Sequence, residues 1–338
     1  MAGKLMNIKV REFKFGLPGP NLFSFKWGET EYGATALPFG GYVRFAGIES
    51  ELQMEEDEED VNTPPERKYD TQPRWKKAII MVAGPFMNIV FAIVLVALML
   101  MGQGRPDYTN TFGEISKGSP AAKVGLQQED KLVSINGKKV GDWEHMVAIL
   151  RKKPGQKVTL VIVRDGQKKT FTPVLGTLKE NGKTRGFLGV NVHYKREMPH
   201  IAIYEGAKIT GQVSVEMVKT LYYAATKQPS LLIKDSAGPV RIVNESARIF
   251  QESFWQYSWF LAIISINIGI VNLLPIPPLD GGRLLILGIE GIRRGALNKK
   301  AVLVVNGVGM VMLLGLMVYF VFTDIIKILA GVPFMNGG

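Results

Sequence analysis

Residues 78–104 contain no charged side chain, and the stretch Ile89-Val-Phe-Ala-Ile-Val-Leu-Val-Ala-Leu-Met-Leu-Met101 within them is wholly apolar. In hydrocarbon every backbone amide and carbonyl has to be bonded inside the protein, and a lone apolar segment of about 20 residues achieves this only as an α-helix. A membrane-crossing helix is expected here. Two further uncharged runs, 253–279 and 301–322, are long enough to cross in the same way. The polar residues between the first two runs number roughly 150, the size of a domain with connecting helices.

The absence of Cys removes disulfides, redox pairs and thiolate metal sites, and leaves only His145, His193 and His200 as soft ligands. Each lies in a polar context, where a surface or satisfied histidine is the plainer reading. The net charge of +11 would suit nucleic acid, but no reading motif accompanies it and no nucleic-acid partner is expected. Topology accounts for it better. Arg67, Lys68, Arg74, Lys76 and Lys77 precede the first span, and Arg283, Arg293, Arg294, Lys299 and Lys300 separate the second from the third. Basic short loops stay on the cytoplasmic side. The insert 105–252 is then extracytoplasmic. Residues 1–15 lack the apolar core and cleavage site of a signal peptide.

Residues 22–47 are rich in Phe, Tyr, Thr and Val and punctuated by Gly28, Gly33, Pro38, Gly40 and Gly41, a pattern of short strands and tight turns. Glu55-Glu-Asp-Glu-Glu-Asp60 is expected to be a solvated linker, since like charges repel and bury nothing. In the insert, Ser119-Pro120 opens a helix by capping, and Asn136-Gly137 suits a type I′ hairpin turn. The order of helix, strand, turn, helix and hairpin over 108–178 resembles bacterial PDZ domains. That resemblance implies a groove in which a peptide or protein tail adds as a strand, with Gly186-Phe-Leu-Gly-Val190 beside it. A small β-rich spacer with a degenerate groove is the plainer alternative.

The second apolar run ends in Asn272-Leu-Leu-Pro-Ile-Pro-Pro-Leu-Asp280-Gly-Gly, with Asn267 five residues upstream. Proline at 275, 277 and 278 interrupts the helical ladder. The freed carbonyls and the Asn amides are then able to hold an extended chain. A carboxylate beside a broken membrane helix is a functional-site hypothesis by default; the plainer alternative is a structural kink whose Asp280 caps the following helix at Gly281-Gly-Arg-Leu. The spacing resembles the Asn-x-x-Pro-x-x-x-Leu-Asp-Gly signature of the site-2 protease family, and Ala83-Gly-Pro-Phe-Met-Asn88, Leu37-Pro-Phe-Gly-Gly-Tyr-Val43 and Ala237-Gly-Pro-Val240 match further family segments in order.

The resemblance implies a zinc-dependent intramembrane endopeptidase of the bacterial cytoplasmic membrane that cleaves single-span membrane proteins, such as anti-sigma factors or signal-peptide remnants. It assigns Asp280 to the metal and Asn267, Asn272, Pro275 and Pro277 to the substrate. In the family, His-Glu-x-x-His on an earlier helix supplies two more zinc ligands and the general base, the zinc activating a water. That sequence occurs nowhere in these 338 residues, and it is expected just upstream of Met1. The competing reading is a catalytically inactive, PDZ-containing membrane adaptor.

The expected architecture is a polytopic α-helical membrane protein with a membrane-associated β element and one inserted, mainly β PDZ domain. It divides into a β element (1–47), a linker (48–76), a membrane helix (77–104), the PDZ domain (105–180) and a connector with amphipathic helices (181–252). The motif-bearing membrane helix (253–282), a basic cytoplasmic loop (283–300) and a last membrane helix (301–330) complete it. Single cysteines introduced at Lys168 and Lys299 test the orientation with an impermeant thiol reagent on intact cells. Labelling is expected at 168 and not at 299, and the reverse pattern overturns it.

Overall fold

A computed structural model describes residues 2–16, 19–36, 40–47, 62–180, 183–228 and 238–330. The acidic run 55–60, residues 37–39 of the Gly-Gly-Tyr segment and Ala237 lie outside them. The chain divides into two compact units, one formed by Met1–Leu95 with Lys208–Gly338 and the other by Val96–Ala207.

In the first unit a short helix, α1 (Ala2–Leu5), leads into four strands: β1 (Val10–Phe15), β2 (Asn21–Trp27), β3 (Thr30–Thr35) and β4 (Gly41–Phe45). They form one sheet in the order β2-β3-β1-β4, β1 pairing parallel to β3 and antiparallel to β4. The strands expected for 22–47 are thus present, and β1 joins them from further upstream. The sheet interior is polar. Lys14 is buried and pairs with Glu31 at 3.0 Å and Glu12 at 3.6 Å, and the Tyr42 hydroxyl donates to Glu12 Oε2 at 2.9 Å. The edge strand β2 exposes Leu22, Phe23, Phe25 and Trp27, so it offers apolar side chains on both faces.

The helices of this unit include α2 (Arg74–Gly102), which begins earlier than the expected 77. Numbering α3, α4 and α5 for helices given below, they continue with α6 (Pro239–Glu252), α7 (Phe254–Asn272), α8 (Asp280–Arg293) and α9 (Lys299–Leu329). Three helices, α2, α7 and α9 from Lys300, are long and apolar enough to cross a membrane. The segment 283–300, read from sequence as a loop, is helical to Arg293. Its basic residues disguise a good helix former once Asp280 and the two glycines have started the turn. At the N-terminus of α6, the amides of Gly238 and Arg241 donate to the buried Asp324 of α9, at 3.1 and 2.9 Å. A carboxylate from another helix there satisfies orphan amides and meets the positive end of the helix dipole.

The second unit is built on β5 (Arg105–Ile115), β6 (Lys131–Ile135), β7 (Lys138–Lys139), β8 (Leu160–Arg164), β9 (Gln167–Phe171) and β12 (Val190–Lys195), in the order β12-β5-β6-β8-β9 with β7 on β6. A separate hairpin pairs β10 (Gly176–Glu180) with β11 (Lys183–Phe187). Helices α3 (Pro120–Lys123) and α4 (Trp143–Arg151) complete the fold, and α5 (Pro199–Thr226) follows it. Ser119 caps α3 by accepting from Ala122 N at 3.2 Å. Asn136 and Gly137 both have positive φ, 49° and 78°, as a type I′ turn demands. Phe112, Leu132, Ile135, Met146, Leu160 and Ile162 form the core. The sheet does not stop at 180. Strand β12 returns to pair with β5, setting Val190 opposite Ile115 and Val192 opposite Phe112.

Buried Asp130 accepts from Arg164 Nε and Nη2, each at 2.6 Å, and from Gln127 N at 2.8 Å. Removing one partner of such a pair strands the other, so Asp130→Ala is expected to cost about 3 kcal/mol, read as faster hydrogen exchange of the β6 and β8 amides. Unchanged protection refutes it. Burial, then the Glu12 hydrogen bond, pushes the Tyr42 phenol up to about 12. The unfolded chain releases this proton near pH 10, so the stability it contributes is complete below pH 10 and is lost as pH rises towards 12. Tyr42→Phe is expected to flatten that alkaline limb of the unfolding profile.

Candidate functional site

The end of α7 and the start of α8 form one turn built by the motif. Pro275 disfavours the helical conformation at Leu274, so the chain leaves the helix after Asn272 and closes through short bonds. Ile276 N donates to Leu274 O at 2.7 Å, and Leu279 N to Ile276 O at 2.9 Å. Asp280 then opens α8, preceded by Leu279 in extended conformation. The acid therefore lies in the first turn of a helix, where the dipole favours negative charge. Its side chain makes no hydrogen bond among the described residues, so it does not cap the helix; Leu279 holds the cap position without a side-chain bond.

Glycines let backbones close around this turn. A Cβ on Gly282 would lie 2.7 Å from Ile276 O, and one on Gly281 would collide with the Leu273 and Leu274 carbonyls. Gly309 of α9 similarly admits the Pro277 carbonyl. On the other side, a Cβ on Gly84 of α2 would be 3.7 Å from Asp280 Oδ2. The seam between α2 and α7 is equally tight. Ser265 Oγ donates to Asn88 O at 2.8 Å, and a Cβ on Gly269 would be 3.1 Å from Pro85 O. The Gly84-Pro85-x-x-Asn88 segment thus borders Asp280, and Pro85 removes the amide that would otherwise bond the Met81 carbonyl.

Of the residues singled out in the sequence, Asp280, Pro277 and Asn272 are half-buried in or beside the break. Pro275 is exposed. Asn267 is also exposed, on the side of α7 opposite Ser265 and Gly269, so the packing does not turn it towards α2. His145 and His200 are exposed and His193 is half-buried, all within the Val96–Ala207 unit.

Two polar residues escaped the sequence reading. Asn306 is buried one turn before Gly309; its only signal is an amide in an apolar helix. Tyr69 lies outside every motif, yet burial pushes its phenol up to about 12, with Arg283 pulling it down and Asp280 pushing it further up. Its ring stacks on Phe45, centroids 5.9 Å apart, and carries the Lys77 ammonium 5.5 Å from its centroid.

Among the described residues no three His, Cys, Asp or Glu side chains converge. Asp280 alone is a single oxygen donor, short of the three protein ligands of a catalytic zinc. These residues by themselves do not fit the metal. A groove lies elsewhere, in the Val96–Ala207 unit. A cavity of about 230 Å³ runs between α4 and the segment 185–190. Trp143, Met146, Val147 and Leu150 line it at helical spacing, and β12, whose first residue Val190 also lines it, is an edge strand of the sheet.

Residues 1–316 match the profile of Peptidase family M50. A zinc metalloprotease RasP of Oceanobacillus iheyensis is 28% identical, with 95% of this chain and 93% of that protein aligned. The regulator of sigma-W protease RasP of Bacillus subtilis is 30% identical over 92% and 90% of the two chains. A putative zinc metalloprotease of Clostridium perfringens is 33% identical over 96% and 92%. With a carboxylate at a glycine-packed helix break and a family profile covering most of its length, the chain belongs to peptidase family M50, the site-2 proteases.

Proposed function

We propose that this protein serves zinc-dependent proteolysis inside the bacterial cytoplasmic membrane, Asp280 supplying one metal ligand. The observation that carries the reading is the placement of Asp280: a carboxylate without a hydrogen-bond partner among the described residues, in the first turn of α8, opposite Gly84. A stabilising cap or ion pair would have consumed its lone pairs. Substrates are single-span membrane proteins, anti-sigma factors and signal-peptide remnants being the classes implied. A membrane helix shields its own carbonyls, so it must unwind before it can be cut. Asn272, Pro275 and Pro277 shape the surface of the broken backbone at 273–279 that an unwound strand would meet, and Asn267 lies on the exposed side of α7, where a substrate helix outside the bundle can reach it. The three apolar helices cross the membrane, the basic segments around Arg74 and Arg293 on the cytoplasmic side.

The second unit acts in this reading as a PDZ domain that holds a peptide or protein tail. Support comes from the cavity at the start of the edge strand β12, where a strand can add. The adaptor reading keeps this binding and drops the chemistry. Zinc decides between them.

Zinc per protein is measured after purification in detergent, together with cleavage of a defined membrane-spanning substrate. The 338 residues alone are expected to hold far less than one zinc and not to cleave, since one carboxylate is a weak site. A form carrying a His-Glu-x-x-His helix ahead of residue 1 is expected to do both. In that form Asp280→Ala should lose zinc and activity, while Asn272→Ala or Pro277→Ala should lower turnover about 10²-fold with zinc retained, as misplacement of substrate does. Unchanged zinc in Asp280→Ala removes the ligand assignment.

A further inference from the structure

Lys77, Met81 and Gly84 follow one another at helical spacing on a single face of α2. At one end of that face the Lys77 ammonium lies over the Tyr69 ring; at the other, Gly84 faces the Asp280 carboxylate. Seven residues of helix separate the two ends, about 10 Å along the axis. That is the length of about three residues of extended chain. Between them lies the Met81 carbonyl, whose helical donor Pro85 removes. The face therefore presents a phenol, a backbone acceptor and a carboxylate in a row.

Tyr69 is unusually well fixed for a residue between a sheet and a helix. Its amide donates to Ala46 O at 2.8 Å, immediately after β4. Its ring is held between Phe45, stacked at an interplanar angle of 23°, and Lys77. Nothing in that clamp uses the hydroxyl, which makes no hydrogen bond among the described residues. A phenylalanine would serve the packing equally well. The half-buried side chain leaves this hydroxyl open to an incoming hydrogen-bond acceptor.

We propose that Tyr69 is a substrate-contacting residue of the Asp280 site, its hydroxyl donating a hydrogen bond to a backbone carbonyl of an extended peptide that lies along the Lys77–Met81–Gly84 face of α2. The ligand class is an unwound segment of a membrane-spanning helix, and the proposal rests on the reading of Asp280 as the centre of a peptide site. The chemistry of the contact is simple. An extended peptide exposes a carbonyl to accept from Tyr69 and an amide to donate to Met81 O, whereas a helical one exposes neither. Tyr69 thereby favours the unwound form and couples the end of β4 to the membrane site.

The test uses the 338-residue chain in nanodiscs and a fluorescent synthetic single-span peptide with a helix-destabilising centre. Tyr69→Phe keeps the ring, the stack and the Lys77 contact and removes one hydrogen bond. It is expected to raise the Kd about three- to tenfold with thermal unfolding unchanged. p-Azidophenylalanine replacing Tyr69 should form a photo-adduct with the peptide, and the same group replacing Ile79, on the other side of α2, should not. An unchanged Kd in Tyr69→Phe, or no adduct from position 69 while one forms from position 272, overturns the role of Tyr69 and leaves the Asp280 site standing. No adduct from 69 or 272 and no saturable binding removes both.

Discussion

Hydrocarbon offers the backbone no hydrogen-bond partner, so a membrane helix can break only where other protein atoms receive the freed groups. In this chain the break at 273–279 is received by glycines. Gly281 and Gly282 let the start of α8 fold back onto the carbonyls that end α7, and Gly309 lets α9 lie against the Pro277 carbonyl. Hydrogen atoms in place of side chains bring backbone against backbone on two sides. The position of Asp280 follows from this seating: with the turn closed on one side by α8 and on another by α9, the carboxylate points to the remaining neighbour, α2 at Gly84.

Helix α2 is shaped to receive it. Gly84 leaves room for the carboxylate, Pro85 opens the ladder, and the seam with α7 is drawn tight by Ser265 and Gly269. The same helix carries Lys77, which fixes Tyr69 and through it the end of the β sheet. One helix thus meets a sheet, a broken helix and a carboxylate along two turns of one face. Each contact is small; their alignment makes a path for an extended chain.

The second unit solves a different problem with different means. Its core is apolar and continuous, and the buried Asp130 carboxylate is paired with Arg164 through both oxygens. The cavity beside β12 survives because α4 presents Trp143, Met146, Val147 and Leu150 towards a segment interrupted by Gly186 and Gly189. Membership of the M50 family and the three long apolar helices agree with a membrane metalloprotease.

The three long apolar helices were legible in the sequence because the absence of charge over some twenty residues is a one-dimensional property. The Ser119 cap and the Asn136-Gly137 turn were legible for a similar reason, since each depends on neighbours within a few residues. Asp280 stood out as a carboxylate where carboxylates are costly. The extent of the helix from Asp280 to Arg293 was not legible, because the charges of 283–293 read as loop. Nor did residue patterns place β12 beside β5 or turn Asn267 away from α2, since strand pairing and helix rotation are settled by contacts distant in sequence. Tyr69 is the clearest case: an ordinary residue in an ordinary segment, brought onto the face of α2 that ends at Asp280 only when the sheet, α2 and the broken helix pack together, because a site made of groups from three elements exists only in three dimensions.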